Sequence, residues 1–295
     1  MSRARVFRPA LESLEGRIAL TGAAGAPQPV RSVPNIVYTR RAGEQQLDLF
    51  LPKGPVPEGG RPAILAIPGG GWRWVRRSDL GSSVSTLAKY GYVVAVADYA
   101  FAGTAPGSRV WPRNFQDVSD AVTWLRQNAG RYGIDPNRIA AWGESAGGHL
   151  ANLLGTNPLR PSSRVEAVVD FYGPTDLASL YAESAQDRPF LNTFLGGTPD
   201  EVPTSYADAS PLRFVSPGDA PVLIYQGTAD VANPLSQSTR FAQALRKSGV
   251  PVHLVTLSGV PHGFRMTLFH GKVKLLPEIL NFLDAALNHQ GAGIV

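Results

Sequence analysis

The fold of this chain is decided by Gly143-Glu144-Ser145-Ala146-Gly147, a stretch of the form G-x-S-x-G. An apolar run at residues 139–142 precedes it, and a helix-compatible segment at residues 148–154 follows it. A serine at such a tight strand-to-helix turn needs small neighbours, because bulkier flanking residues would collide with its strained backbone. The turn holds the hydroxyl clear of the sheet, and the N-terminus of the next helix favours developing negative charge. The stretch therefore predicts a nucleophile at Ser145.

A serine hydroxyl is a weak nucleophile at neutral pH, so the site also needs a base and a carboxylate that orients the base. Around this kind of turn the chain order is serine, then acid, then histidine. Of the five histidines, His149 follows the serine too closely and His253 lies within a strand-like run. His270 and His289 lie farther along, in an ambiguous segment and a polar tail. His262 lies in the turn just after that run, at the expected carboxyl edge of a sheet, and is the predicted base.

The orienting acid is predicted at Asp230, in the loop that leaves a buried-strand pattern at residues 221–225. Its carboxylate would accept the Nδ1–H of His262 and so select the imidazole tautomer. The alternative is that Asp230 is a turn residue that caps the helix near Ser236. Asp176 is a competing carboxylate, although its sequence setting favours the capping of a helix.

A glycine run is predicted to supply the oxyanion hole. Pro68-Gly69-Gly70-Gly71-Trp72 follows a strand-like run at residues 63–67. Glycines let the main chain approach a substrate closely and adopt conformations that a Cβ would forbid. We expect the N–H groups of Gly70 and Gly71, together with that of Ala146, to bind the oxyanion. The alternative, a plain flexible turn, fits less well with a position between a buried strand and a helix.

These residues resemble those of an α/β-hydrolase esterase of the branch with an H-G-G-G-W oxyanion loop. That branch includes bacterial esterases of polysaccharide breakdown, such as acetyl and feruloyl esterases, and is related to the hormone-sensitive-lipase-like group. The resemblance runs from about Val37 to about Leu287. The other motifs that carry it are Gln46-Leu47-Asp48-Leu49-Phe50-Leu51-Pro52, Val96-Ala97-Asp98-Tyr99, Asp117 to Trp124, Gly133-Ile134-Asp135-Pro136-Asn137-Arg138-Ile139 and Asp170-Phe171-Tyr172-Gly173-Pro174.

Three positions depart from the pattern of this family. Pro68 replaces the histidine ahead of the glycines, so that side chain's hydrogen bonding is lost while the loop is stiffened. Gln226 replaces the histidine before the acid-loop glycine, and it can still donate and accept hydrogen bonds. Ala100 replaces an arginine that commonly follows the Asp-Tyr pair. None of the three is a triad member, so we expect activity with an altered substrate profile.

The composition agrees with an α/β class domain. A length of 295 residues with 43% hydrophobic content suits one large domain with a sizeable core. Strand-like and helix-like runs alternate, which is typical of βαβ units and a mostly parallel sheet flanked by helices. Helical spacing is clearest from Phe115 to Leu125 and from Glu278 to Leu287, with Pro277 in the first turn of the second helix. We predict an α/β-hydrolase domain over residues 35–290.

Residues 177–211 form a more polar and irregular segment, rich in Ala, Ser, Asp and Pro. In this fold a segment at that place usually forms a small cap over the active site, and it is too short for an independent domain. The sequence therefore predicts a shallow site that suits a small acyl group on a bulky alcohol.

The charge pattern argues against a nucleic-acid partner. The net charge is +5, and residues 1–34 hold five arginines against two glutamates, so three of these charges lie in the tail. The rest of the chain is nearly balanced and has no basic helix face. Arg73, Arg76 and Arg77 cluster near the glycine run, as a solvated face or as an attractant for carboxylated substrates. No apolar run is long enough to span a membrane.

The N-terminal segment differs in character from the rest of the chain. Arginines precede a weakly apolar stretch, but charged residues interrupt it, so it is not a standard signal peptide. Residues 8–17 resemble an L-E-x-L-E-x-R leader of exported proteins, which favours a location outside the cytoplasm. Residues 1–34 are accordingly predicted to be a tail and linker that is partly disordered. The absence of cysteine excludes disulfides and a cysteine nucleophile.

The predicted function is that of a serine carboxylic-ester hydrolase for short-chain acyl esters, including acetyl or feruloyl groups on polysaccharide. The chemistry needs no metal or organic cofactor. Trp72 and Trp111 are candidate substrate contacts, with core packing as the alternative for Trp72. Two other functions stay open: cleavage of an amide, as in arylformamidases with a similar loop or in peptidases, and non-catalytic binding on a decayed scaffold, suggested by Pro68 and Gln226. The oligomeric state is not indicated.

Overall fold

The structure of the protein is a computed structural model that describes residues 27–41, 43–74, 76–103, 109–157, 160–264 and 275–288. The leader-like run at residues 8–17, most of the predicted tail, and His270 and His289 lie outside the described residues. Within them the chain forms one sheet with helices on both faces, which confirms the predicted α/β-hydrolase fold.

The sheet has eight strands in the described part of the chain. Their order across the sheet is β1-β2-β4-β3-β5-β6-β7-β8. At one edge, β1 pairs with β2 and β2 pairs with β4 in antiparallel fashion. All other neighbouring strands, including β3, are parallel to each other. The strands are β1 (Val30–Thr39), β2 (Gln45–Pro52), β3 (Arg61–Ile67), β4 (Val93–Ala97), β5 (Ile134–Glu144), β6 (Ala167–Phe171), β7 (Val222–Gly227) and β8 (Val252–Leu257).

The helices connect these strands and cover both faces of the sheet. They are α1 (Arg77–Ala88), α2 (Arg113–Gln127), α3 (Ala129–Tyr132), α4 (Ala146–Thr156), α5 (Leu177–Glu183), α6 (Arg188–Leu195), α7 (Pro203–Asp208), α8 (Leu235–Lys247) and α9 (Leu275–Asn288). The helical spacings predicted over 115–125 and 278–287 are confirmed by α2 and α9, each of which starts two or three residues earlier than predicted.

The central strand β3 explains the apolar run at residues 63–67. All seven of its residues are buried, and successive side chains enter opposite faces of the sheet. Leu65 and Ile67 join the core under α2, α4 and α8, whereas Ile64 and Ala66 join the core under α1 and α9. Because both faces are covered, the carboxyl edge is where loops can build a site.

Three short helices, α5 to α7, lie within the segment predicted as a cap, and a 3₁₀ turn at Pro211–Phe214 ends it. Phe194 and Tyr206 anchor this segment in the core under α2 and α4. That residues 177–211 form a cap stays a prediction, as do the bounds of the N-terminal tail; the name cap denotes these residues below. Among the described residues, no helix combines the length and the apolar character that crossing a bilayer requires.

Candidate active site

Ser145 lies at the turn between β5 and α4, as the G-x-S-x-G stretch predicts. Its backbone is in the left-handed half of the Ramachandran map, at φ 55° and ψ −120°, which is a strained conformation for a residue with a Cβ. The Ser145 N–H donates to the carbonyl of Phe171 at 2.9 Å and so ties the turn to β6. A Cβ on Gly147 would overlap the Ile67 carbonyl oxygen, and one on Gly143 would overlap the Gly147 carbonyl. The turn therefore accepts only glycine at both flanking positions.

The structure brings Ser145, His262 and Asp230 together, although they lie far apart in the chain. His262 Nε2 is 3.0 Å from Ser145 Oγ, and His262 Nδ1 is 2.7 Å from Asp230 Oδ2. The Asp230 side chain is fully buried, while 28% of the His262 side chain is exposed. This is the geometry in which a carboxylate holds Nδ1–H and leaves Nε2 free to take the serine proton. Tyr172 packs edge-on against the imidazole, with ring centroids 4.7 Å apart.

The Asp230 carboxylate is held by four donors. The N–H groups of Ala232 and Asn233 reach Oδ1 at 3.0 and 2.8 Å, and Gln226 Nε2 shares Oδ2 with the histidine at 3.1 Å. Ser238 Oγ in turn donates to Gln226 Oε1 at 2.8 Å, and the glutamine is fully buried. Asp230 therefore orders its own loop instead of capping α8, and Gln226 uses the position of the family histidine to hold the acid.

The glycine run lies beside the serine. Gly70 and Gly71 line the same cavity as Ser145 and His262. Ala146 is the first residue of α4, where an N–H has no partner within its helix. Tyr99 supports the loop from below, because its hydroxyl donates to the Pro68 carbonyl at 2.9 Å. These positions are consistent with the predicted oxyanion hole. That the N–H groups of Gly70, Gly71 and Ala146 are its donors stays a prediction.

Trp72 and Trp111 do not lie on the wall of the cavity, and the prediction that they contact substrate is corrected. They are only 3% and 8% exposed. Trp72 stacks on Phe194 of α6 with centroids 4.5 Å apart, and Trp111 packs edge-on against the same ring. Both indoles therefore belong to the core between the glycine loop and the cap, the alternative already considered for Trp72.

His149 joins that core by hydrogen bonds on both ring nitrogens. Trp72 Nε1 donates to Nδ1 at 3.3 Å, and Nε2 lies 2.6 Å from the Ala209 carbonyl, just after α7. The ring is neutral with its proton on Nε2, since a carbonyl can only accept. Burial lowers the pKa of His149 to about 4. His149 thus ties the helix after the nucleophile to the glycine loop and to the cap.

The other charged residues considered in the sequence analysis lie in different parts of the structure. Asp176 caps α5, where its Oδ1 accepts the Ser179 N–H at 3.2 Å. Arg77 pairs with Asp48 at 2.6 Å and with Asp98 at 3.0 Å, so it braces the edge of the sheet. The Arg73 guanidinium lies 5.3 Å from the centre of the Phe190 ring, and of the predicted arginine cluster only Arg76 lines the cavity. These positions show one cation at the site rather than three.

A buried carboxylate lies behind the nucleophile turn. Asp170, on β6, accepts hydrogen bonds from Asn152 Nδ2 and from the Gly173 N–H, both at 2.8 Å. Burial raises its pKa to about 7. The carboxylate does not line the cavity and serves to hold α4 against the loop that follows β6.

In the part of the chain that the structure describes, no three His, Asp or Glu side chains are grouped so that they could hold a metal ion.

The cavity has a volume of about 350 Å³. Most of its lining residues were not predicted as site residues, and among them are Trp74, Phe190 and Asp187. Trp74 was noted near the mouth but not selected, and Phe190 and Asp187 lie in the cap segment, where no sequence motif distinguishes them. The lining residues are Pro68, Gly69, Gly70, Gly71, Trp74, Arg76, Asp79, Leu80, Glu144, Ser145, Tyr172, Gln186, Asp187, Phe190, Ala232, His262 and Gly263.

The sheet order defines an α/β-hydrolase, and the hydrogen-bonded serine, histidine and aspartate have the geometry of a serine-hydrolase triad. A model of the BD-FAE family matches residues 47–245, which is more than half of the chain, and the chain belongs to this family. Esterase LipC of Mycobacterium tuberculosis is 35% identical over 234 residues, 75% of this chain and 57% of LipC. The chain thus spans little more than half of the length of that relative.

Solved structures agree with this assignment. A truncated carbohydrate esterase from gut microbiota has a TM-score of 0.74 and 26% identity, covering 90% of this chain and 99% of its own. Esterase 2 of Thermogutta terrifontis, phosphorylated by paraoxon, has a TM-score of 0.69 and 27% identity, covering 88% and 95%. These similarities confirm the predicted resemblance to α/β-hydrolase esterases.

Proposed function

We propose that this protein hydrolyses short-chain carboxylic esters through an acyl-enzyme on Ser145. The observation that carries the proposal is the continuous hydrogen-bonded path from Asp230 through His262 to Ser145, at 2.7 and 3.0 Å, inside a cavity that also contains Gly70 and Gly71. The similarity to a carbohydrate esterase and to an esterase phosphorylated by paraoxon supports it.

In the first half-reaction, His262 Nε2 takes the proton of Ser145 as Oγ bonds to the ester carbonyl carbon. Negative charge develops on the carbonyl oxygen, where the N–H groups of Gly70, Gly71 and Ala146 would receive it. Buried Asp230 stabilises the imidazolium that forms. The C–O bond to the alcohol then breaks, and His262 returns its proton to the departing alkoxide.

The second half-reaction repeats these steps with water. His262 takes a proton from water as the water oxygen attacks the acyl carbon, and the same oxyanion position carries the charge. When the bond to Ser145 Oγ breaks, the histidine proton returns to the serine and the carboxylic acid leaves. No step requires a group beyond these side chains, their backbone neighbours and water.

The size of the site favours small acyl groups. A cavity of about 350 Å³ lies at the lower end of the volumes found for small-molecule sites. Phe190 of α6 approaches the glycine loop closely, because a Cβ on Gly71 would come within 2.9 Å of its ring. Acetyl esters, including acetylated polysaccharide, therefore fit the proposal better than long lipids, and a feruloyl group is the larger candidate.

The test is the hydrolysis rate of p-nitrophenyl esters from acetate to dodecanoate, for the unchanged protein and for Ser145→Ala. We expect the best rate at about two to four acyl carbons and a loss of at least about a thousandfold in Ser145→Ala. Acetylated xylan and methyl ferulate then separate the two polysaccharide-linked substrates. Circular dichroism should show that the variant stays folded.

A second readout tests the covalent step. Paraoxon should add one phosphoryl group to the unchanged protein and none to Ser145→Ala, as measured by intact mass and peptide mapping. A protein that resists labelling and hydrolyses no ester would be a binding protein on a decayed scaffold. Labelling at Ser145 with turnover of anilides and not esters would instead support the amide-cleaving alternative.

A further inference from the structure

The cap places a second carboxylate in the cavity of the triad. Asp187 lies in the turn between α5 and α6, at the N-terminus of α6, and lines the cavity together with Ser145 and His262. Ser184 Oγ donates to Asp187 Oδ2 at 2.7 Å and also lies 3.4 Å from the Val231 carbonyl in the acid loop. Among the described residues no other donor reaches the Asp187 side chain, and it does not cap its own helix. One carboxylate oxygen is thus left for a ligand.

Asp187 shares the cavity with His262, the residue that handles the leaving alcohol. The alcohol oxygen must come within hydrogen-bond reach of His262 Nε2, because that atom returns the proton. The field of the imidazole acts on Asp187, and Ser184 links the aspartate to the loop that carries Asp230. Burial raises the pKa of Asp187, and a positive charge on His262 opposes that effect. An alcohol within reach of His262 therefore occupies the cavity that Asp187 lines, and this shared location is the geometric basis for a role of Asp187 in the choice of alcohol.

In the described lining of the cavity, acidic side chains outnumber basic ones. Besides Glu144, its described lining holds the carboxyl groups of Asp79 and Asp187 against the single cation Arg76. An anionic alcohol would meet net repulsion there, whereas a hydroxyl donor or a cationic group would meet an acceptor. This balance argues against the carboxylated substrates that the arginine cluster had suggested.

Two neighbouring side chains suit a ring that carries hydroxyl groups. Trp74 lines the cavity and is 58% exposed, so its flat face is available to a ligand. Gln186 precedes Asp187 on the same wall and offers an amide that both donates and accepts. An aromatic face beside a carboxylate and an amide can pack on the apolar face of a ring while bonding its hydroxyls.

We propose that Asp187 is a specificity-determining residue that selects esters whose leaving alcohol presents hydroxyl donors or a positive charge, over apolar alcohols of the same shape. The proposal rests on the esterase function proposed above. It assigns the choice of alcohol to a cap side chain, while Ser145, His262 and the glycine loop carry out the bond cleavage.

The experiment compares two pairs of acetates within each enzyme. One pair is methyl 6-O-acetyl-glucoside and cyclohexylmethyl acetate, which lacks the hydroxyls. The other is acetylcholine and 3,3-dimethylbutyl acetate, which lacks the charge. The kcat/KM ratio within a pair is measured for the unchanged protein, for Asp187→Asn and for Asp200→Asn, a matched charge removal at an exposed cap position. The ratio cancels changes in the amount of folded enzyme and in the chemistry of His262.

The unchanged protein should favour the first member of at least one pair. Asp187→Asn should lower that ratio, by about tenfold for the choline pair and about fivefold for the glucoside pair, because a charged acceptor binds more strongly than a neutral one. Asp200→Asn should leave both ratios unchanged. A fall in only one pair supports the proposal and identifies the alcohol as a polyol or a cation.

The proposal is overturned if the unchanged protein prefers cyclohexylmethyl acetate and 3,3-dimethylbutyl acetate over their partners. This outcome does not depend on the folding of any variant. The proposal is also overturned if Asp187→Asn and Asp200→Asn change the ratios equally, or if neither changes them. In each case Ser145-dependent hydrolysis of p-nitrophenyl acetate would leave the esterase function standing. Absence of that hydrolysis would instead defeat the proposed function itself.

Discussion

The two walls of the active-site cavity are built in different ways. On the sheet side, backbone contacts hold Ser145: its N–H bonds to β6, and Gly143 and Gly147 permit main-chain approaches that no Cβ would allow. On the cap side, side chains make the attachment, through the stacking of Phe194 on Trp72 and the hydrogen bond of His149 to the Ala209 carbonyl. The position of the nucleophile therefore depends on backbone geometry, whereas the shape of the cavity depends on side chains.

The largest effect is expected from the sheet side. Gly147→Ala places a Cβ into the Ile67 carbonyl, so the turn between β5 and α4 must shift. We expect a loss of at least about a hundredfold in kcat/KM, because a displacement of about 1 Å in a reacting group costs that much. Initial rates on p-nitrophenyl acetate and the urea midpoint of unfolding measure the two consequences.

Gly130→Ala is the matched control, since a Cβ there meets nothing within 4 Å. It should leave activity unchanged and keep or slightly raise stability, because alanine favours a helix. Wild-type activity in Gly147→Ala would show that the turn tolerates a shift, and the backbone account of the sheet side would then be wrong.

The next effect concerns the attachment of the cap and depends on pH. Burial places the pKa of His149 at about 4 in the folded protein, below its value of 6.5 in the unfolded chain. The folded state therefore favours the neutral ring, and the unfolded chain takes up the proton first as the pH falls. The resulting contribution of His149 to the free energy of unfolding is fully present above pH 6.5 and is lost as the pH falls through 4, by up to about 3 kcal/mol. Urea unfolding at several pH values should show a smaller acid-dependent loss in His149→Gln than in the unchanged protein.

His253→Gln is the control for that comparison, because 65% of the His253 side chain is exposed and its 3.3 Å contact with Glu278 is a surface pair, which contributes little to stability. Its pH dependence should match that of the unchanged protein. If His149→Gln loses as much stability in acid as the unchanged protein does, the acid sensitivity arises elsewhere and His149 is not the pH-dependent attachment.

A smaller effect is expected where a side chain supports the acid of the triad. Gln226→Leu removes the donor at 3.1 Å from Asp230 Oδ2 and leaves Ser238 Oγ without its acceptor. Because Gln226 touches no substrate, kcat should fall by about tenfold with KM unchanged. Gln226→His, which restores a donor at this position, should recover most of the rate. A rise in KM at constant kcat would contradict the positioning role.

The smallest effect on the fold is expected at the mouth of the cavity. Trp74→Ala should raise KM a few fold with unchanged kcat and unchanged melting temperature, because the indole is exposed. Trp72→Ala, two residues away, should instead destabilise the protein by about 3–5 kcal/mol, because its indole is buried against Phe194. Equal losses of stability in the two variants would remove the distinction between core and mouth.

Much of the site was predictable because its requirements are local. Small residues around Ser145 are demanded by one strained turn, and the order of serine, acid and histidine follows from successive strand ends of a parallel sheet. Asp230 follows the buried strand β7 and His262 follows the edge strand β8, so their selection needed only the strand pattern. The structure brings all three together, and their catalytic roles stay predictions until the variants are measured.

Other features were beyond local reasoning. Trp72 and Trp74 differ by two positions in one glycine loop, and neither composition nor spacing shows which indole enters the core. That outcome depends on Phe194 and His149, which arrive from distant helices. In the sequence, Gln226 is only a departure from the family pattern. The structure shows that it donates to Asp230 and that Ser238 of α8 holds its amide in place.

The α/β class, the nucleophile turn and the order of the triad follow from the amino-acid sequence alone, because these depend on backbone conformation and hydrophobic periodicity within short segments. Which aromatic side chains line the cavity, and that Asp187 lies in it together with Ser145 and His262, are visible only in the tertiary structure. Those properties arise where the cap meets the carboxyl edge of the sheet. Contacts between segments that are distant in the chain are set by packing, for which no single segment carries a pattern.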